Sequence, residues 1–123
     1  MASSELNLPR IPMLGEEEAR VIGKEVGVPS TMSGLNIFRI MSRHPTLAGV
    51  VAKQLAMLLY RGNLLDDRLR ELIIMRIGWR TGAMYEWTQH WHVALRVGLT
   101  EDETLAVRDP DKATCLGAAE RAV

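Results

Sequence analysis

The sequence predicts an all-α fold, a compact helical domain of about six helices around a central αα-hairpin. Three observations predict it. Apolar residues recur at helical spacing in several separate stretches, and no alternating strand pattern competes with them. Capping residues, an N-terminal proline and terminal glycines stand where those stretches begin and end. Two consecutive stretches, 66–80 and 83–97, are separated by a break at Thr81-Gly82, short enough to fold one helix back on the other.

Taken in order, residues 1–14 read as an extended arm, because the prolines of Leu8-Pro9-Arg10-Ile11-Pro12 exclude helix. Glu16 to Glu25 is a short helix with acidic residues at its start, where the helix dipole favours them. Gly27-Val28-Pro29-Ser30 breaks it, and Met32-Ser33-Gly34 continues the loop. Leu35 to Ser42 is a second short helix, closed by Arg43-His44-Pro45, and Pro45 suits the first position of the next. That helix, to about Tyr60, carries Leu47, Val50, Val51, Leu55, Leu58 and Leu59 at helical spacing. Arg61-Gly62-Asn63 turns the chain into the central pair. Beyond it, Thr100-Glu101-Asp102-Glu103 is a capping box that opens another short helix.

The first helix of the pair takes Asp66 as N-cap and Gly82 as a left-handed stop. Apolar residues cover most of its circumference, which predicts burial. Glu71 shares a face with Ile74, Met75 and Gly78, where a carboxylate is costly unless paired. The second helix places Met84, Trp87, Trp91 and Ala94 on an apolar stripe and Tyr85, Gln89, His92 and Arg96 on a polar one. A third face carries Glu86, His90, Val93 and Val97, with Glu86 and His90 at i and i+4 and so in reach of each other. A Glu–His pair bounded by valines suits acid–base work, and Glu71 joins it if the hairpin closes.

Composition narrows the classes. The chain has 123 residues, enough for one domain with a modest core. Fifteen basic residues balance 15 acidic ones, which gives no argument for nucleic acid or an anionic membrane surface. No apolar run reaches a spanning length, and the amino terminus lacks a signal peptide's pattern, so the expected location is cytoplasmic. There is no phosphate-binding glycine loop, and no cofactor is expected. A metal on Glu71, Glu86 and His90 is disfavoured by the lack of a second well-placed histidine. Met13, Met32, Met41, Met57, Met75 and Met84 look like core filler.

The stretch Arg70-Glu71-Leu72 followed by Tyr85-Glu86-Trp87 and His90 resembles the carboxymuconolactone decarboxylase family, which includes the alkylhydroperoxidase D-like proteins. Arg43-His44-Pro45 and Arg96-Val97-Gly98-Leu99-Thr100 extend the likeness, which covers about half of the chain. Peroxidase members carry a glutamate on one helix, then Cys-x-x-Cys and a histidine on the next. Glu71 matches that glutamate and His90 that histidine, while Ala83 and Glu86 stand at the two cysteine positions. The chain has one cysteine, Cys115, remote from those positions, so the resemblance implies a member without thiol peroxidase chemistry.

What the resemblance implies is a cofactor-free acid–base enzyme acting on a small cyclic carboxylated substrate, by decarboxylation or by isomerisation or hydration. Glu71, Glu86 and His90 would be catalytic, with Tyr85, Trp87 and Ala83 lining the pocket and Arg76 or Arg80 holding a substrate carboxylate. The family also implies a homo-oligomer, whether dimer, trimer or hexamer. Glu120-Arg121-Ala122-Val123 resembles the start of the family's further helix, which reads as a shortened member or a fragment. Plainer readings stand beside these. Glu71 can bond a buried arginine such as Arg76 or Arg80, His90 can be a satisfied core histidine, and Trp87 and Trp91 can be core or interface anchors. Under them the chain is a non-catalytic binding or assembly module that kept the fold.

Overall fold

A computed structural model describes residues 10–60 and 62–123. Most of the expected arm, and Arg61 of the expected turn, lie outside the described residues. Those described form eight helices and no strand, which makes the protein all-α. Contacts divide the chain into two compact units, Met1–Asn63 and Leu64–Val123.

The first unit contains α1 (Glu16–Val26), α2 (Ser30–Ser33), α3 (Asn36–Met41) and α4 (Pro45–Leu59). Gly27 ends α1 at φ 81°, a left-handed conformation that favours glycine. The expected loop at 32–34 begins as a helical turn instead. Pro29 is the N-cap of α2, and its carbonyl accepts from the amides of Met32 and Ser33 at 2.9 and 3.0 Å. A proline before the first turn has no amide to satisfy, so the breaker starts the helix that follows. Pro45 is the first residue of α4, and His44 caps it by accepting from the Leu47 amide through Nδ1 at 3.2 Å. Phe38, Met32, Val28, Ala48 and Ala52 form the core of this unit. At Gly49 a Cβ would stand 2.6 Å from the Val26 carbonyl oxygen, so α1 and α4 approach at a distance only glycine allows. What is described of the arm is held here: the Leu14 amide donates to the Arg39 carbonyl, and Arg39 Nε donates back to the Leu14 carbonyl at 2.9 Å.

The second unit contains α5 (Asp67–Thr81), α6 (Met84–Arg96), α7 (Glu101–Ala106) and α8 (Ala118–Arg121). Asp66 caps α5 by accepting from the amides of Arg68 and Leu69, and Gly82 ends it at φ 68°. Both features are those the residue types demand. Thr100 and Glu103 close the capping box at the head of α7. Leu72, Met75, Ala94, Leu99, Val107 and Leu116 make the core, with Trp87 and Trp91 packed against it. Helix α5 departs from expectation in being buried on one side only. Arg70, Glu71, Leu72, Met75 and Gly78 are buried, whereas Ile77 and Trp79 are exposed. Apolar residues all round a helix therefore mark two different faces here, one facing the core and one left open.

Candidate functional site

The α5–α6 hairpin sets early residues of α5 against late residues of α6, and this pairing brings Glu71 to His90. Glu71 Oε2 lies 2.7 Å from His90 Nδ1, and Glu71 Oε1 accepts from Arg70 Nε at 3.0 Å. Glu71 is only 1 % exposed, so the carboxylate is withdrawn from water and held between a guanidinium and an imidazole. A buried carboxylate needs such partners to offset its desolvation. The pair continues outward, because the Arg70 guanidinium also donates to Asp67, an exposed residue one turn earlier on α5.

The tautomer of His90 follows from these contacts. A carboxylate beside a guanidinium is an acceptor, so the hydrogen on the 2.7 Å contact belongs to Nδ1. Neutral His90 then carries its lone pair on Nε2. That nitrogen is 3.8 Å from Glu86 Oε2, beyond hydrogen-bond length but within Coulombic reach. Glu86 is nearly half exposed and His90 mostly buried, so Nε2 lies where the buried pair meets the accessible side of α6. Of the two carboxylates, Glu71 is the one that orients the ring.

The surroundings also act on the charge of the Arg70 guanidinium. Burial is the largest influence on it and works against its charge. Its hydrogen bonds to Glu71 and Asp67 outweigh that influence, and the guanidinium is held above its ordinary value.

The other expected site residues are placed differently. Ala83 is the N-cap of α6, seven residues and so about 10 Å along the helix axis from His90. Tyr85, five residues from His90, points to another side of α6 and is exposed. Trp87 belongs to an aromatic row, with ring centroids 5.7 Å from Trp79 and 6.2 Å from Trp91, and it packs on the core. The Arg108 guanidinium lies over Trp79 at 5.4 Å. Arg76 bonds the backbone carbonyls of Arg121 and Val123, and Arg80 is exposed. Among the described residues, no group of three His, Cys, Asp or Glu side chains is placed to hold a metal ion. A shallow hollow of about 490 Å³ lies in the first unit, lined by Glu16, Arg20, Ser30, Thr31, Gly34 and Leu35, and contains none of the candidate residues.

Sequence reasoning missed Arg70 and Asp67. Neighbours at i and i+1 normally point apart on a helix, so Arg70 is not an obvious partner for Glu71. The available signal was the i, i+3 spacing of Asp67 and Arg70, which marks an ion pair at the head of α5.

In comparison with known proteins, the model of the carboxymuconolactone decarboxylase family matches residues 48–123. That span contains Arg70, Glu71, Glu86 and His90. No curated protein and no solved structure gives a significant match. No helix among the described residues is long and apolar enough to cross a membrane.

Proposed function

The chain belongs to the carboxymuconolactone decarboxylase family, and on that footing we propose that it is a cofactor-free acid–base enzyme whose proton carrier is His90. The observation that carries this reading is the 2.7 Å contact between Glu71 and His90 Nδ1. It supports a reading in which one ring nitrogen serves orientation and the other exchanges protons with a substrate, the division of labour an acid–base histidine needs. Glu71 supplies orientation and stabilises the imidazolium. Glu86, beside Nε2, stabilises the same cation from the accessible side.

The substrate class that family membership favours is a small cyclic carboxylated compound. In a decarboxylation the bond to the carboxylate carbon breaks, and its electron pair stays on the ring carbon as carbon dioxide leaves. The imidazolium then delivers the Nε2 proton to that carbon and is reprotonated from water. An isomerisation uses the same nitrogen to remove a proton at one carbon and return it at another. Both require Nε2 to take up and release a proton within one cycle.

A second reading has its own observation. Glu71 is sealed between two partners, as in a structural ion pair, and a non-catalytic assembly module would retain that pair for packing. The exposed apolar side chains of Ile77, Trp79 and Met84, and of Leu47, Val50 and Met57 on α4, suit contact with further copies of the chain under either reading.

Variants at the pair separate the two. For the enzyme, His90→Gln lowers turnover of a carboxylated lactone, followed as carbon dioxide release, by about 100-fold or more. Circular dichroism and the denaturation midpoint stay close to those of the parent protein. Turnover that survives His90→Gln sinks the assignment of the proton carrier. No turnover by any form, with equal destabilisation in Glu71→Gln and His90→Gln, establishes the assembly module instead.

A further inference from the structure

A histidine hydrogen-bonded to a lone buried carboxylate has a difficulty as a proton carrier. In general, an anion at hydrogen-bond distance from an imidazole favours its charged form, and more so where water is excluded. Such a ring takes up a proton readily and gives it back poorly. The reading of His90 as proton carrier, on which this inference rests, needs both halves of the cycle.

The structure places a compensating cation on the far oxygen of the same carboxylate. Arg70 Nε is 3.0 Å from Glu71 Oε1, Glu71 Oε2 is 2.7 Å from His90 Nδ1, and both Arg70 and Glu71 are buried. We propose that Arg70 is a positioning residue for His90: it holds Glu71 as an acceptor turned to Nδ1, and it offsets part of that carboxylate's charge beside the ring, which helps the imidazole to release its proton. Asp67, bonded to the outer side of the guanidinium, moderates the offset from the surface.

Among the described residues, the charged groups bonded to or paired with the ring, directly or through a neighbour, lie on α5 and α6. From α5 they are Glu71 directly, then Arg70 and Asp67 through it, and from α6 itself Glu86 at 3.8 Å. On α7, which packs against α6, Glu103 is turned to Arg68 and Thr100, while Glu101 and Asp102 are exposed. Arg68, also on α5, bonds the Gly98 carbonyl, Glu103 and Glu120. Among these described groups, Arg70 is the cation bonded directly to the carboxylate that bonds the ring.

The test is the titration of the His90 ring, followed by its Cε1–H resonance in the full chain. In Arg70→Met the midpoint should rise by about one unit or more, the size of shift a neighbouring charge produces. Arg70→Lys, which keeps the charge and loses the planar fork, should recover at least half of that rise. Asp67→Asn removes an exposed anion, should leave the fold intact, and should move the midpoint the other way by a few tenths of a unit. A midpoint in folded Arg70→Met equal to the parent's overturns the proposal. If Arg70→Met does not fold, an unchanged or raised midpoint in Asp67→Asn overturns it. These outcomes do not depend on turnover. Absence of activity with the shifts intact rejects the enzyme and leaves Arg70's electrostatic role, whereas activity without the shifts rejects the role and leaves the enzyme.

Discussion

Two arginines stand two residues apart on α5, each paired with carboxylates, and they serve different ends. Arg70 is buried and reaches its neighbour Glu71 and, one turn back, Asp67. Arg68 is about a third exposed and ties together parts of the chain that are far apart in sequence. It donates to the Gly98 carbonyl at the end of α6, to Glu103 on α7 at 2.7 Å, and to Glu120 on α8 at 3.1 Å. Glu103 in turn accepts from the Thr100 amide, and Glu120 from the Gly117 amide, so both carboxylates are also helix-start groups. Arg68 is a cross-link and Arg70 is a counter-charge. The difference lies in solvent and partners: where water reaches, an ion pair gains little beyond its hydrogen bonds, and where it does not, breaking a pair leaves a charge nothing else can solvate.

The largest expected effect follows from the buried network. Glu71→Leu leaves the Arg70 guanidinium buried without its inner partner and should cost about 3–5 kcal/mol in urea denaturation. The double variant Glu71→Leu with Arg70→Met should recover most of that loss, because two apolar side chains of similar volume need no partners. A Glu71→Leu protein as stable as the parent would mean the pair is not buried in solution, and the contrast with Arg68 would fail.

Arg68→Ala should cost less, about 1–2 kcal/mol, because its pairs are partly solvated. Its signature should be regional. Amide exchange should quicken around 98–103 and 117–121 and change little in the α5–α6 hairpin. Uniform acceleration across the second unit would show that Arg68 belongs to the same cooperative core as Arg70.

Acid should act on the cross-link through Glu103. The Thr100 amide is the largest influence holding its carboxyl below the usual range, burial opposes it, and Arg68 adds to the lowering. Its folded value is thus below its unfolded one. The stability it contributes is fully present above the unfolded value of about 4.3 and is lost as pH falls through the lowered folded value. Arg68 is shifted upward by Glu103 and Glu120 and titrates far from this window. Glu103→Gln should therefore lower stability at pH 7 and lose less of what remains between about pH 5 and 3 than the parent does. An acid limb of equal slope in both proteins would assign the pH dependence to other carboxylates.

The smallest effect belongs to Glu86. It is nearly half exposed and does not hydrogen-bond the ring, so Glu86→Gln should change stability by less than about 0.5 kcal/mol. A larger loss would make it a structural partner of His90 on a par with Glu71.

Much of the fold was legible because its rules are local. The Asp66 cap, the Gly82 stop, Pro45 at the head of α4 and the Thr100–Glu103 box each depend on residues within four positions of one another. The hairpin followed from one short break, and it brought Glu71 to His90 as the sequence suggested. Ligands that skip along the chain were not legible. Arg68 meets partners 30, 35 and 52 residues away, and no periodicity encodes such a meeting. Arg70 was hidden by the opposite circumstance, since adjacent helical side chains normally diverge and a long guanidinium can still turn back to its neighbour. Which carboxylate would orient the ring was also beyond the sequence. The i, i+4 rule favoured Glu86, but the deeper carboxylate across the hairpin is the one within hydrogen-bond length.

The most direct test of the account is the nitrogen spectrum of the neutral His90 ring. With uniformly ¹⁵N-labelled protein above the titration midpoint, the two ring nitrogens report which of them holds the hydrogen. A hydrogen on Nδ1, with Nε2 unprotonated and shifting as the pH is lowered, is the predicted result. A hydrogen on Nε2, with Nδ1 bare beside Glu71, would contradict the orientation on which the proton-carrier reading depends.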